Sequence, residues 1–351
     1  MLLYIHIPYC DSKCHYCSFN SYTDKFDTRE NYLSALEKQL RYELKRFKVK
    51  NKEIETIFIG GGTPSTIHPK LYKSIFKILS PLLKNDAEIT TEANPNSATI
   101  SWLQGMFELG VNRVSFGVQS FQKEKLKSLN RSHSPQQAIE AIDNAKEIGF
   151  KHISLDLIYN YQGDTQKLLT QDIDQAFQLP IDHISAYELT IESGTKFSYT
   201  PQAKQEDDNL AFFVANEIKK RGFNHYEISN FGKYESVHNK GYWKLIDYIG
   251  IGAGAVGFKK NTRFYPTTNI DKYIQNPLFI REEAITSEEL LTEKIFLGLR
   301  STIGIDEKIL DIDMRNRANF LVQEGKLKKE KNIYKNSNFF LSDEIALYIL
   351  T

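Results

Sequence analysis

The chain has 351 residues, enough for two domains, or one large domain with an appendage, and for a sizeable core. Its 45 Lys and Arg against 44 Asp and Glu leave a net charge of +1, which supplies no field to draw nucleic acid or an anionic membrane. Hydrophobic residues at 41% and charged residues at 25% are those of a globular chain, which excludes a disordered or fibrous one.

The first apolar run, Leu2–Ile7, is interrupted by His6 and stopped by Pro8. It is too short for a signal segment or for a membrane span of roughly 20 residues, so a soluble, cytoplasmic protein without an integral membrane segment is expected. It is the first of six strand-like runs, followed by Glu55–Ile59, Glu88–Thr91, Arg113–Phe116, His152–Ile158 and His183–Glu188. Between them lie helical patterns at Thr28–Phe47, Pro69–Leu83, Ile100–Leu109, Pro135–Ile148 and Thr165–Phe177, several opened by Ser, Thr or Pro at cap positions. This alternation predicts an α/β fold, an incomplete (β/α)6 barrel over residues 1–225. In such barrels the chemistry sits at the C-terminal ends of the strands. The residues there are unusual: a cysteine loop, then Gly60-Gly61-Gly62-Thr63-Pro64, then Glu92 with Asn94, then Gly117, Gln119 and Ser120, then Asp156.

Residues 226–286 read as a connecting region. Asp207–Arg221 precedes it as a helix, Asn224–Ile228 is strand-like, and the run Gly250–Gly257 is expected to let backbone pass close to something bulky. From residue 287 the pattern changes to helices at Ser287–Leu299 and Asp306–Gln323 and a hairpin from Lys326–Tyr334 to Phe339–Leu341, a small α+β domain of winged-helix-like type over 287–351. Its lysines, Lys326, Lys328, Lys329, Lys331 and Lys335, read as a solvated hairpin rather than a nucleic-acid surface, because Glu330 interrupts them and the chain carries no excess charge.

All three cysteines, Cys10, Cys14 and Cys17, fall within eight residues with the spacing C-x3-C-x2-C. An odd, clustered count argues against a disulfide framework and for reduced thiolates on a metal centre. Three thiolates on one tight loop suit three irons of a cubane, leaving the fourth open to another ligand. The competing reading is zinc completed by His15, although structural zinc usually joins two distant ligand pairs.

With this motif the sequence resembles the radical S-adenosylmethionine (SAM) superfamily, and the resemblance spans essentially the whole chain. Tyr4-Ile-His-Ile-Pro-Tyr-Cys10, Gly60-Gly-Gly-Thr-Pro64, Thr91-Glu-Ala-Asn-Pro95, Ser115-Phe-Gly-Val-Gln-Ser120, Leu129-Asn-Arg131 and Asp156-Leu-Ile are similar to the oxygen-independent coproporphyrinogen III dehydrogenase group and, within it, to the HemW-like haem chaperone branch. The resemblance implies a [4Fe-4S] cluster on Cys10, Cys14 and Cys17 and SAM chelating its open iron. It also implies the SAM contacts: Gly61, Gly62 and Thr63 beside the methionyl end, Glu92 and Gln119 on polar parts, Arg131 on the carboxylate, Asp156 on the ribose, and Tyr4 and Tyr16 packed beside cluster and adenine.

Two departures separate this chain from the dehydrogenases. Phe19 stands where they have a further cysteine, and only nine residues precede Cys10, where they carry a longer segment. The positive feature is His238-Asn239-Lys240-Gly241-Tyr242-Trp243, which matches the HNxxYW motif of the chaperone branch. On a helix His238 and Tyr242 share one face and Asn239 and Trp243 the next, so an iron ligand is expected beside an aromatic surface suited to haem. The implied function is haem delivery to an acceptor haemoprotein such as a respiratory enzyme, with flavodoxin or ferredoxin as electron donor and no residue assigned to catalysis. The alternatives are the dehydrogenase itself, which decarboxylates propionates by radical chemistry, and another tetrapyrrole-directed radical SAM enzyme.

Overall fold

A computed structural model describes all 351 residues. Six consecutive strands run parallel: β1 (Leu2–Ile7), β2 (Ile54–Gly61), β3 (Leu83–Ala93), β4 (Arg113–Gln119), β5 (His152–Tyr159) and β6 (His183–Glu188). Parallel strands covered on both faces usually read as unbroken apolar runs. Here they alternate. Val114, Phe116 and Val118 of β4 and Ile153, Leu155 and Leu157 of β5 join the main apolar core, whereas Ser115, Ser154, Asp156, His183 and Ser185 share the other face. The lumen of the barrel is therefore polar, and the apolar face carries the helices.

Those helices are α1 (Arg29–Phe47), α2 (Lys73–Leu79), α3 (Ile100–Glu108), α4 (Lys123–Ser128), α5 (Pro135–Ile148), α6 (Gln166–Phe177) and α7 (Asp208–Lys220). Local chemistry sets their ends. α5 begins with a Ser134–Gln137 capping box and Pro135 in its first turn, and stops at Gly149 in the left-handed region. The helix expected over Pro69–Leu83 is shorter, because 3-10 turns flank α2 and Pro81 ends the helical ladder before β3 begins at Leu83.

Residues 226–286 do more than connect. β7 (Asn224–His225) and β8 (Asn230–Gly232) add antiparallel strands beyond β6; only the first two residues of the expected strand Asn224–Ile228 form it. After α8 (Val237–Trp243), β9 (Tyr248–Ile251) pairs in parallel with β1 at the other edge, followed by β10 (Gly257–Lys259), β11 (Thr262–Pro266), α9 (Ile270–Gln275) and β12 (Ile280–Ala284). The result is one twelve-stranded sheet. What the glycine run admits is the chain itself: a Cβ on Gly250 would lie 1.8 Å from the Val256 carbonyl oxygen.

The C-terminal unit has its own core of 11 buried residues. It comprises α10 (Ser287–Leu299), β13 (Ile305–Asp306), α11 (Ile312–Gln323), β14 (Leu327–Glu330), β15 (Ile333–Asn336) and α12 (Ser342–Leu350). The helix–strand–helix–hairpin order is winged-helix-like. The helix expected from Asp306 starts at Ile312, and Phe339–Leu341, expected as a hairpin strand, is a 3-10 turn leading into α12.

Candidate functional site

The loop after β1 is closed at its stem: Cys10 N–H donates to the Tyr22 carbonyl (3.0 Å) and Tyr22 N–H to that of Pro8 (2.8 Å). Its far side is clamped to the end of α4, where His15 N–H donates to the Leu129 carbonyl (3.2 Å) and Asn130 Nδ2 to that of Lys13 (2.8 Å). The three free thiols so held line a cavity of about 410 Å³, with Gly61–Thr63, Glu92, Gln119, Arg131, Asp156 and Tyr16 around it.

No three His, Cys, Asp or Glu side chains converge on a point suited to a single ion. The His15 ring pairs its Nδ1 with the Ser128 carbonyl (2.9 Å) and lies edge-on to Phe197. Thiols spread around a cavity suit a polynuclear cluster, each iron taking one thiolate.

The floor ties two of the thiols together. Arg131 donates from Nη1 to Cys14 Sγ (3.2 Å) and from Nη2 to Asn94 Oδ1 (2.6 Å) and the Gly117 carbonyl (2.5 Å). Asn94 Nδ2 in turn reaches Thr63 Oγ1 (3.3 Å), whose hydroxyl lies 3.5 Å from Cys10 Sγ. Burial pushes the Cys10 and Cys17 thiols up, and the buried Nε of Arg131 has no partner within the protein. The β2 tip runs directly along the cysteine loop: Gly62 N–H donates to the Ile7 carbonyl (2.8 Å) and Thr63 N–H to that of Tyr9 (2.7 Å), and a Cβ on Gly62 would meet Tyr9 O at 2.7 Å. Gly61 has φ +111° and leaves no room for a Cβ beside the His6 ring.

Glu92 on β3 and Asp156 on β5 flank Ser115 on β4. Glu92 Oε2 accepts from Gly61 N–H (3.1 Å) and Asp156 Oδ1 from the Ser115 hydroxyl (3.4 Å). Burial, and then the charge of Asp156, pushes Glu92 up to about 8; burial pushes Asp156 up to about 6. Two desolvated carboxylates side by side favour a cationic ligand, which would discharge the proton that Glu92 holds. Gln119 sits at φ +70°, where the β4–β5 register shifts, so a strained backbone position is held on the cavity wall. Tyr4 is the exception among the expected contacts. It lies below the cavity, its hydroxyl on His6 Nδ1 (3.0 Å) and its ring against Phe58.

Residues 4–176 match the model of the radical SAM superfamily. The chain is 36% identical over 326 residues to the heme chaperone HemW of Bacillus subtilis (87% of this chain, 84% of that one), and 31% identical over 372 residues to that of Haemophilus influenzae (99% and 97%). It belongs to the HemW family of radical SAM proteins. Identity to the Escherichia coli HemW reaches 40% over 263 residues, 73% of this chain and 69% of that one. The coproporphyrinogen III oxidase HemN of E. coli superposes with a TM-score of 0.83 at 20% identity, covering 100% of this chain and 90% of that one, which shows the shared fold.

The HNxxYW segment lies at the other end of the barrel, among the strand starts. It forms α8, and His238 and Tyr242 share a face as expected, Nε2 to hydroxyl 2.9 Å. The expected open surface for a macrocycle is not formed. His238 is 1% exposed, its Nδ1 pairs with Thr56 Oγ1 (2.7 Å), and burial pushes it down to about 3, so it is neutral. Gly241 packs on Leu2, while Asn239 and Trp243 are half-buried. Glu88, which sequence reasoning missed, holds the segment: its carboxylate accepts from Val237 N–H (2.9 Å), His238 N–H (2.9 Å) and the Tyr234 hydroxyl (2.8 Å). Also missed were Tyr187 and Glu188 on the cavity wall, although their place at the end of the sixth strand was the available signal.

Proposed function

We propose that this chain is a cytoplasmic haem chaperone of the radical SAM type, which binds haem and passes it to an acceptor haemoprotein such as a respiratory enzyme. The observation that supports this most is the meeting, in one strand-end cavity, of three free thiols with Arg131, Glu92 and Asp156, in a chain 31–40% identical to proteins named heme chaperone HemW.

Cys10, Cys14 and Cys17 would hold a [4Fe-4S] cluster, with SAM beside it; together they supply one-electron chemistry when reduced by a donor of flavodoxin or ferredoxin type. The chain's own residues bind and orient. Arg131 neutralises the methionyl carboxylate as a fork donor, and the Gly61–Thr63 edge admits the methionyl end. Glu92 and Gln119 hold the polar groups, Asp156 accepts from the ribose hydroxyls, and Tyr16 covers the adenine side. Tyr4 lies below the cavity and holds His6, whose ring packs against Gly61. His238, Asn239, Tyr242 and Trp243 serve haem handling only when α8 leaves its seat, since both ring nitrogens of His238 are engaged there.

Anaerobic reconstitution is expected to give about four irons and four sulfides per chain, lost when any one of the three cysteines is changed to Ser. Arg131→Ala should weaken SAM binding about tenfold, the loss of one charge-assisted contact. SAM affinity unchanged in both Arg131→Ala and Asp156→Ala would contradict the assignment.

A further inference from the structure

We infer that haem docks across the mouth of the strand-end cavity, on the exposed ring of Phe19, with Tyr187 on the facing rim and Lys13 as partner of a haem carboxylate. This rests on the haem-chaperone reading and places its cargo. Phe19 is 67% exposed and Tyr187 42% exposed, and both line the cavity. They come from the two ends of the six-strand arc, the loop after β1 and the end of β6, so a flat ligand bridging them spans the opening. The HNxxYW face offers no such platform while α8 is seated.

The Phe19 ring is held out on a fixed backbone. Its carbonyl accepts from Lys13 Nζ (2.5 Å), and the next residue, Asn20, donates from Nδ2 to the carbonyls of Ala253 (2.9 Å) and Thr268 (2.8 Å). A large apolar ring fixed in water gains from a ligand that covers it. The Lys13 ammonium spends two donors on neutral oxygens, the Phe19 carbonyl and the Ser21 hydroxyl (2.7 Å), forms no ion pair, and keeps one donor free. A flat apolar face beside a cation that keeps one donor free matches a macrocycle that carries carboxylates on one edge. The acidic residues set the orientation: Glu188 is paired with Lys204 (3.0 Å) but Glu192 on the rim is unpaired, so the haem carboxylates turn toward Lys13.

The test is an anaerobic titration of cluster-loaded protein with haem and, separately, with haem dimethyl ester, followed in the Soret region. Phe19→Ala should weaken both ligands about tenfold. Lys13→Gln should weaken haem about threefold and leave the ester unchanged. Tyr187→Ala, outside the cysteine loop, should weaken both ligands with iron and sulfide content intact, which separates a lost platform from a lost cluster. Wild-type affinity for haem in Phe19→Ala and Tyr187→Ala alike would overturn the docking site and leave the carrier reading standing. A wild-type protein that binds no haem would remove both.

Discussion

Glu92 carries a proton at neutral pH because it is buried beside Asp156 with a single backbone N–H for a partner. Its folded value of about 8 lies above the ordinary value of 4.5 that it takes in the unfolded chain. Between those limits the folded state binds more protons, so this residue's contribution to stability falls as pH rises from 4.5 through 8. Glu92→Gln, which removes the titration but keeps the shape, should be nearly neutral at pH 4.5 and should stabilise the SAM-free protein by on the order of 1–3 kcal/mol at pH 8. Urea denaturation at the two pH values checks this. A difference that does not change with pH would mean that Glu92 is solvated or already paired.

At the scale of elements, α8 is held by side chains rather than by length. It has seven residues, too few to be helical alone, and it stays helical because Glu88 takes its free N–H groups and Gly241 lets it settle on Leu2. Glu88→Ala should therefore raise amide exchange across 237–243 well before global unfolding. His238→Ala, which leaves Thr56 and Tyr242 without their partner, should cost about 2–4 kcal/mol in denaturant. Neither effect would follow if α8 were an exposed haem platform. The elements legible in the sequence were those whose own pattern decides them: β1 and β6 span the predicted residues, as do α5, with its Ser134 cap and Gly149 stop, and α10. Those missed are fixed by distant partners. β8 to β12 are three to five residues each, too short for periodicity; β8 exists because it pairs with the edge at β6, β9 because it pairs with the edge at β1, and β10 to β12 extend the sheet from β9. Phe339 and Phe340 look like strand residues, but α12 follows because Ile345, Ala346 and Ile349 find a core there. The cysteines, glycines and carboxylates of the site were legible as strand-end residues, whereas Glu88 was not, since a charged residue early in a strand reads as solvated.

For the whole molecule, the segment from Tyr226 to Trp243, which lies among the strand starts, also carries the C-terminal unit. Ile228 N–H donates to the Arg300 carbonyl (2.9 Å) and Thr302 N–H to that of Tyr226 (2.9 Å), while the Tyr226 hydroxyl meets His183 Nε2 in the lumen (2.8 Å). The strand-end mouth stays free of that attachment, and no helix is long and apolar enough to cross a membrane. One end of the barrel is thus closed and structural, and the strand-end mouth, where the proposed loading and release would occur, is open. The measurement that tests it most directly combines haem-loaded, cluster-containing protein with an apo-haemoprotein acceptor under anaerobic conditions, and in parallel gives the same protein coproporphyrinogen III, SAM and a reductant. Haem should appear in the acceptor, with acceptor activity restored, while no protoporphyrinogen forms at catalytic rates. Catalytic decarboxylation of coproporphyrinogen III without haem transfer would contradict the account and make the chain an enzyme of the HemN kind.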